Sequence, residues 1–126
     1  MGSANGGGVA PLEKAATLVL LRDAPGGFEV LLLKRHEKSG VAPGALVFPG
    51  GRVDLMDDEP ELAPQLVRAL ASGGPATLQV TAIRETFEEC AILLAREVEQ
   101  TEMVSATRAE ELEHYRGLLQ GGDISL

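Results

Sequence analysis

The chain has 126 residues, of which 44% are hydrophobic and 24% are charged, a composition that is ordinary for one globular domain. The 19 acidic residues outnumber the 11 lysines and arginines, and the net charge of −8 argues against nucleic acid or an anionic membrane as a partner. One cysteine excludes an intrachain disulfide, and no apolar run approaches the ~20 residues that span a bilayer. We therefore expect a soluble, cytoplasmic protein.

The first predicted elements are a flexible arm and three strands. Residues 1–11 begin with small side chains that cannot pack, so they predict a flexible N-terminal arm. Two apolar runs rich in Val and Leu, 15–22 and 28–35, flank a Pro-Gly-Gly segment and predict a hairpin. Because both runs are nearly continuous, we expect both faces of the sheet to be covered, which indicates a layered α/β fold. A third strand, 45–48, should stop at Pro49.

Three helices are predicted in the rest of the chain. A moderate apolar pattern with helical spacing covers 58–72, and a longer one covers 78–95. The third helix should begin at a capping box formed by Thr107 and Glu110 and end near Gly121. The pattern therefore predicts that helices follow the strands along the chain.

The second predicted helix carries three carboxylates on one side. Each helical residue advances ~100° about the axis, so Glu85, Glu88 and Glu89 share one arc, opposite the apolar residues. Acidic runs on helices are commonly solvated faces. Clustered like charges, however, cost roughly 0.2–0.5 kcal/mol per pair, whereas a hard cation such as Mg²⁺ takes carboxylate oxygens as ligands. The residues alone leave a solvated face and a metal site as alternatives.

The sequence around these acids resembles the Nudix hydrolases. Residues 84–89 read Arg-Glu-Thr-Phe-Glu-Glu, which matches the RExxEE core of that family, and 48–51 read Phe-Pro-Gly-Gly, similar to the start of the same box. The two halves lie much further apart than usual, and Asp57 stands where Glu is more common. Such spacing is similar to the long-insert branch that includes coenzyme A and acyl-coenzyme A diphosphatases. Residues 32–35 and 44–51 also look like part of the pattern associated with coenzyme A substrates.

The resemblance implies a fold and a reaction. The fold would be a Nudix-like α/β/α sandwich with a mixed sheet over 12–126, interrupted by an insert at 58–76. The reaction would be hydrolysis of the diphosphate linkage in a nucleoside diphosphate joined to another group, with coenzyme A or acyl-coenzyme A as candidate substrates. Metal-activated water would attack phosphorus. A small molecule, and neither nucleic acid nor a membrane, would be the partner.

The resemblance also implies roles for individual residues. It implies three carboxylate ligands for Mg²⁺ or Mn²⁺, namely Glu85, Glu88 and Glu89. Gly50 and Gly51 would form a turn whose backbone approaches the metal or the substrate, because neither residue has a bulky side chain. Arg84 would orient a carboxylate. Arg35, at the end of the second strand, would either reach the substrate phosphates or be an ordinary strand-end charge.

Two departures from the family pattern lie on the acidic helix. Thr86 occupies a position where the family prefers an apolar residue, and Ala91 occupies a position where it usually has Gly. Because Ala adopts a left-handed conformation less readily than Gly, we expect the helix to continue through residue 95.

Only three strands are predicted, whereas the Nudix sandwich requires further strands after the acidic helix. We therefore expect the chain to be the N-terminal part of a longer enzyme, or a short form that needs a partner chain such as a second copy. The alternative function is a Nudix-like binding or regulatory module without catalytic activity.

Overall fold

The computed structural model of the protein describes residues 11–40, 42–58, 76–97 and 99–123. The predicted N-terminal arm and the predicted insert with its helix lie outside the described residues, apart from their end residues. The described residues form six short strands, one 3-10 helix and three α-helices.

The strands form three antiparallel pairs. Their bounds are Ala15–Thr17 (β1), Leu21–Ala24 (β2), Gly27–Val30 (β3), Leu33–Lys34 (β4), Leu46–Val47 (β5) and Gly50–Arg52 (β6). β1 pairs with β6, β2 with β3, and β4 with β5. The predicted strands are therefore too long, because successive parts of each apolar run hydrogen-bond to different partners. The predicted stop at Pro49 is followed by a strand and not by a turn.

The predicted hairpin is present as β2 and β3. Ala24 pairs with Gly27, so that Pro25 and Gly26 are the two residues of the turn. Proline has the fixed φ that suits the first central position of a type II turn, and Gly26 has the positive φ, 85°, that the second position requires. The turn residues thus set the register, in which Leu21 lies opposite Val30.

The expectation that both faces of the strands are covered is wrong for the described residues. Phe28 is 67% exposed and Leu46 is 65% exposed, and the apolar side chains of β2 and β3 are also open to solvent. Among the described elements, β2 and β3 contact only each other. The reason is that an apolar strand needs a second element to cover it, and the described helices lie elsewhere.

The helices differ from the predicted ones at their ends. Their bounds are Leu55–Asp58 (the 3-10 helix), Ala76–Cys90 (α1), Ala106–Glu111 (α2) and Glu113–Gly121 (α3). The third predicted helix is divided at Leu112, and its N-cap is Ser105, not Thr107: the Ser105 hydroxyl accepts a hydrogen bond from the Arg108 amide. The predicted end near Gly121 is confirmed, with Gly122 in the left-handed conformation.

The expectation that α1 continues through residue 95 is wrong. The helix ends at Cys90, and Ala91 adopts a positive φ of 58°, with its amide donating to the Phe87 carbonyl at 2.9 Å. A left-handed residue other than Gly costs roughly 1–2 kcal/mol. The chain accepts this cost at Ala91, so it turns where the family pattern has Gly.

The core is built around α1, which packs against β1, β6, the 3-10 helix and α3. Val80, Ile83 and Phe87 are buried on its apolar face, as the periodicity predicts. Thr81 and Thr86 are also fully buried, and the Thr86 hydroxyl donates to the Ala82 carbonyl four residues earlier. No helix in the described ranges is long and apolar enough to cross a membrane.

Candidate functional site

Arg84 is the centre of the polar network on α1. Its side chain is only 11% exposed, and it donates from Nε and Nη2 to the two carboxylate oxygens of Asp57, at 2.8 and 2.9 Å. Nη2 also donates to the carbonyl oxygen of Arg52 at 3.0 Å. This paired geometry matches the planar fork of a guanidinium to a carboxylate. It ties α1 to both β6 and the 3-10 helix.

Asp57 anchors this network from the 3-10 helix. Its side chain is 2% exposed and accepts further hydrogen bonds from the Thr81 hydroxyl at 2.8 Å and the Asp54 amide at 2.9 Å. Burial favours the neutral carboxyl, but the hydrogen bonds from Arg84, the Asp54 amide and Thr81 outweigh it and lower the pKa of Asp57. The hydrogen bond to Asp57 in turn raises the pKa of Arg84. Both groups are therefore charged at neutral pH.

The remaining guanidinium nitrogen of Arg84 contacts two of the three predicted ligands. Nη1 donates to Oε1 of Glu85 at 3.0 Å and to Oε1 of Glu88 at 3.1 Å. Both carboxylates are largely buried. Because Asp57 fixes the guanidinium, Arg84 holds Glu85 and Glu88 on the same side of the helix.

Gly50 and Gly51 lie beside the carboxylates of Glu89 and Glu85. The Gly50 amide donates to Oε2 of Glu89 at 3.1 Å, and the Glu85 carboxylate packs so close to Gly51 that an added Cβ would lie 2.3 Å from Oε1. An added Cβ on Gly50, which has a φ of 151°, would lie 2.3 Å from the carbonyl oxygen of Ala16. The absence of side chains at these two positions thus lets β6 approach both β1 and the acids of α1.

The acidic face raises the pKa of one of its members. Burial raises the pKa of Glu85 above its usual value, the Arg84 charge opposes that rise, and the charges of Glu88 and Glu89 add to it. A cation bound beside these groups would favour the ionised form of Glu85.

The donor chemistry of this face fits a hard divalent cation, because three carboxylates and backbone carbonyls supply only oxygen ligands. Within the described ranges, however, no three acidic, histidine or cysteine side chains are arranged to hold one ion. Glu85 and Glu88 are turned towards Arg84, and Glu89 is turned towards the Gly50 amide. The structure therefore places the three predicted ligands on one face of α1, where each carboxylate contacts another group of the protein.

Arg35 follows β4 directly in the chain. It is exposed just after β4, its amide donates to the Ala45 carbonyl, and its side chain donates to the Ser39 hydroxyl at 3.3 Å. The two interpretations of Arg35, phosphate contact and strand-end charge, both stay open.

Sequence reasoning missed two residues that reach α1 from α3. Arg116 Nε donates to the carbonyl oxygen of Glu88 at 2.7 Å, and Gln120 Nε2 donates to the same oxygen at 3.1 Å. A cavity of about 220 Å³ lies between the end of α3 and the Arg84, Asp57 and Glu88 side chains. The only available signal was the four-residue spacing of Arg116 and Gln120, which places them on one helix face.

Comparison with known proteins first defines the class of fold. The structure aligns with the crystal structure of a NUDIX hydrolase from Alicyclobacillus acidocaldarius with a TM-score of 0.59 and 29% sequence identity, covering 89% of this chain and 53% of that one. This likeness confirms the predicted α/β fold class. No family model matches the sequence.

Two curated relatives then define the branch. The chain is 35% identical to acyl-coenzyme A diphosphatase NUDT19 of Xenopus laevis, over 53% of this chain and 25% of that protein. It is 31% identical to acyl-coenzyme A diphosphatase NUDT19 of Gallus gallus, over 65% of this chain and 32% of that protein. These findings confirm the predicted resemblance to the Nudix family and its coenzyme A diphosphatase branch. The chain spans about a quarter to a third of the length of these relatives.

Proposed function

We propose that the chain is part of a Nudix-type hydrolase that cleaves the diphosphate linkage of a nucleoside diphosphate joined to another group. The observation that carries the proposal is the gathering of three carboxylates around Arg84 and the Gly50-Gly51 backbone. Two relatives that bear the name acyl-coenzyme A diphosphatase support coenzyme A or acyl-coenzyme A as the substrate class.

Glu85, Glu88 and Glu89 are the residues that would hold Mg²⁺ or Mn²⁺. When bound, such an ion supplies neutralisation of the diphosphate charge and a water of lowered pKa. A chain with a net charge of −8 repels a diphosphate unless positive charge lies between them. The acidic face therefore serves the anionic substrate only through the cation that it binds.

The chain's own residues position this site. Arg84, fixed by Asp57, sets the direction of the Glu85 and Glu88 carboxylates. Preorganisation of this kind lowers the cost of ordering ligands when the ion binds. Gly50 and Gly51 have no side chains, so the β6 backbone lies directly against the Glu85 and Glu89 carboxylates. Hydrolysis then adds water across one phosphorus–oxygen bond and releases two phosphomonoesters.

A second function is a Nudix-like module that binds a ligand or a partner chain without catalysis. One observation favours it: the acids of α1 already have protein partners in the described ranges, and none of their groupings is arranged to hold an ion.

An activity panel separates the two functions. The chain is incubated with Mg²⁺ or Mn²⁺ and with coenzyme A, an acyl-coenzyme A, NADH or ADP-ribose, and phosphomonoester products are measured by chromatography. We expect cleavage of coenzyme A or its acyl derivative. Measurable ligand binding without turnover of any of the four compounds would instead favour the module.

The ligand assignment is tested with Glu89→Gln. We expect this variant to lose turnover and to bind Mn²⁺ about 10-fold to 100-fold more weakly, because a neutral amide is a poor ligand for a hard cation. Glu102→Gln, an exposed acid outside the site, is the matched control and should behave as the unmodified chain. An Mn²⁺ titration that is identical for both variants would defeat the assignment.

A further inference from the structure

The last turn of α1 is held by donors from another helix. The helix ends at Cys90, so the Glu88 carbonyl belongs to the final carbonyls that have no amide partner within the helix. Arg116 and Gln120 both donate to this one oxygen, at 2.7 and 3.1 Å. A guanidinium at a helix C-terminus is also favoured by the helix dipole.

The position of α3 provides this pair of donors. Leu119 is buried on α3, and Arg116 and Gln120 lie four residues apart on one side of that helix. Arg116 is itself oriented by an ion pair with Glu113, one turn earlier on α3. Because Arg116 and Gln120 are four residues apart, both side chains reach the same carbonyl oxygen at the end of α1.

Glu88 is consequently held at two points. Arg84 contacts its carboxylate and Arg116 contacts its carbonyl. Glu89 follows directly in the same turn, and its carboxylate contacts the Gly50 amide. A shift of this turn would move two of the three proposed ligands together, because Glu88 and Glu89 are adjacent in it.

We propose that Arg116, assisted by Gln120, is a positioning residue that fixes the last turn of α1 so that Glu88 and Glu89 can bind a divalent cation. This inference rests on the proposed function. In this inference, Arg116 and Gln120 act on the site by holding the end of α1. They do not themselves contact the substrate or the ion.

The test measures binding of Mn²⁺ alone to the whole chain, by the electron paramagnetic resonance signal of free Mn²⁺, well below the thermal unfolding midpoint of each variant. Arg116→Met keeps the apolar stem but removes the donors, and we expect its Kd for Mn²⁺ to rise about tenfold. Gln120→Met should cause a smaller rise. Arg116→Lys restores a cationic donor and should recover most of the affinity, which a general loss of packing would not do.

Arg108→Met is the matched control, because Arg108 is an exposed arginine on α2 whose ion pairs are with Glu97 and Glu111. We expect it to bind Mn²⁺ as the unmodified chain does. If Arg116→Met and Arg108→Met bind Mn²⁺ equally well, the inference is overturned while the proposed function stands. If Arg116→Met does not fold, Gln120→Met decides: a raised Kd supports the inference and an unchanged Kd overturns it. An unmodified chain that binds no Mn²⁺ would remove the proposed function itself.

Discussion

Two regions of this protein treat their polar and apolar residues in opposite ways. Around α1, charged residues are buried, and several of their hydrogen bonds join elements that are distant in the chain. In the hairpin of β2 and β3, apolar side chains are exposed and the contacts are local. In the described residues, long-range contacts are therefore concentrated around the acidic helix and the elements that pack against it.

Two ion pairs between an arginine and a carboxylate, one in each region, illustrate the contrast. Arg84 and Asp57 form an ion pair with side chains that are 11% and 2% exposed, whereas Arg22 and Glu29 form one across the hairpin with side chains that are 79% and 54% exposed. Water screens the second pair, and solvation replaces it readily when it breaks. Loss of one partner from the first pair would break a buried ion pair with two hydrogen bonds, which water cannot readily replace.

The largest expected effect follows from this contrast. Asp57→Asn should lower the free energy of unfolding by about 3 kcal/mol, because it removes the negative charge that accepts two hydrogen bonds from the buried Arg84 guanidinium. Glu29→Gln in the hairpin should change it by less than about 1 kcal/mol. Urea denaturation of both variants measures the difference, and equal values for the two would remove the distinction between the regions.

The two glycines of β6 sharpen the comparison within the site. Gly50→Ala should destabilise the protein by about 2 kcal/mol, since its Cβ would meet the backbone carbonyl of Ala16. Gly51→Ala would meet only the carboxylate of Glu85, a flexible side chain, so we expect a smaller loss of stability but weaker Mn²⁺ binding. Thermal unfolding and Mn²⁺ titration separate these outcomes. Equal losses of stability in the two variants would contradict the different surroundings that we describe for Gly50 and Gly51.

The end of α1 offers a gain in stability. Ala91 has a φ of 58°, which Gly adopts without the steric cost of a Cβ. Ala91→Gly should therefore stabilise the protein by about 0.5–1 kcal/mol after the entropy of the more flexible unfolded chain is subtracted. Chemical denaturation measures this change. A destabilised variant would show that the helix does not turn at residue 91.

The smallest effect is expected in the hairpin. Phe28→Ser should change the free energy of unfolding by no more than about 0.5 kcal/mol, because the phenyl ring is already mostly exposed. A loss above about 2 kcal/mol in denaturation measurements would show that the ring is covered in solution. The dependence of that stability loss on protein concentration would then show whether a second copy or another part of the same chain covers the ring.

Local patterns explain why part of the site could be predicted from sequence. The spacing of Glu85, Glu88 and Glu89 within one helix is a property of neighbouring residues, and so is the apolar face behind them. The Pro25-Gly26 turn likewise depends on the φ preferences of two residues. Helix ends were less predictable, since Ala91 turns despite its own preference and Ser105 competes with Thr107 as a cap.

The acidic helix, its buried side and the turn of the hairpin are predictable from the sequence, because they follow from residues within a few positions of one another. The groups that hold that helix come from elements far away in the chain, and only the folded structure shows them. Asp57 reaches Arg84 across 27 positions, Gly50 reaches Glu89 across 39, and Arg116 reaches Glu88 across 28. Such contacts depend on how whole elements dock, and no local periodicity encodes them. The same reason explains why apolar strands could be found but their exposure could not.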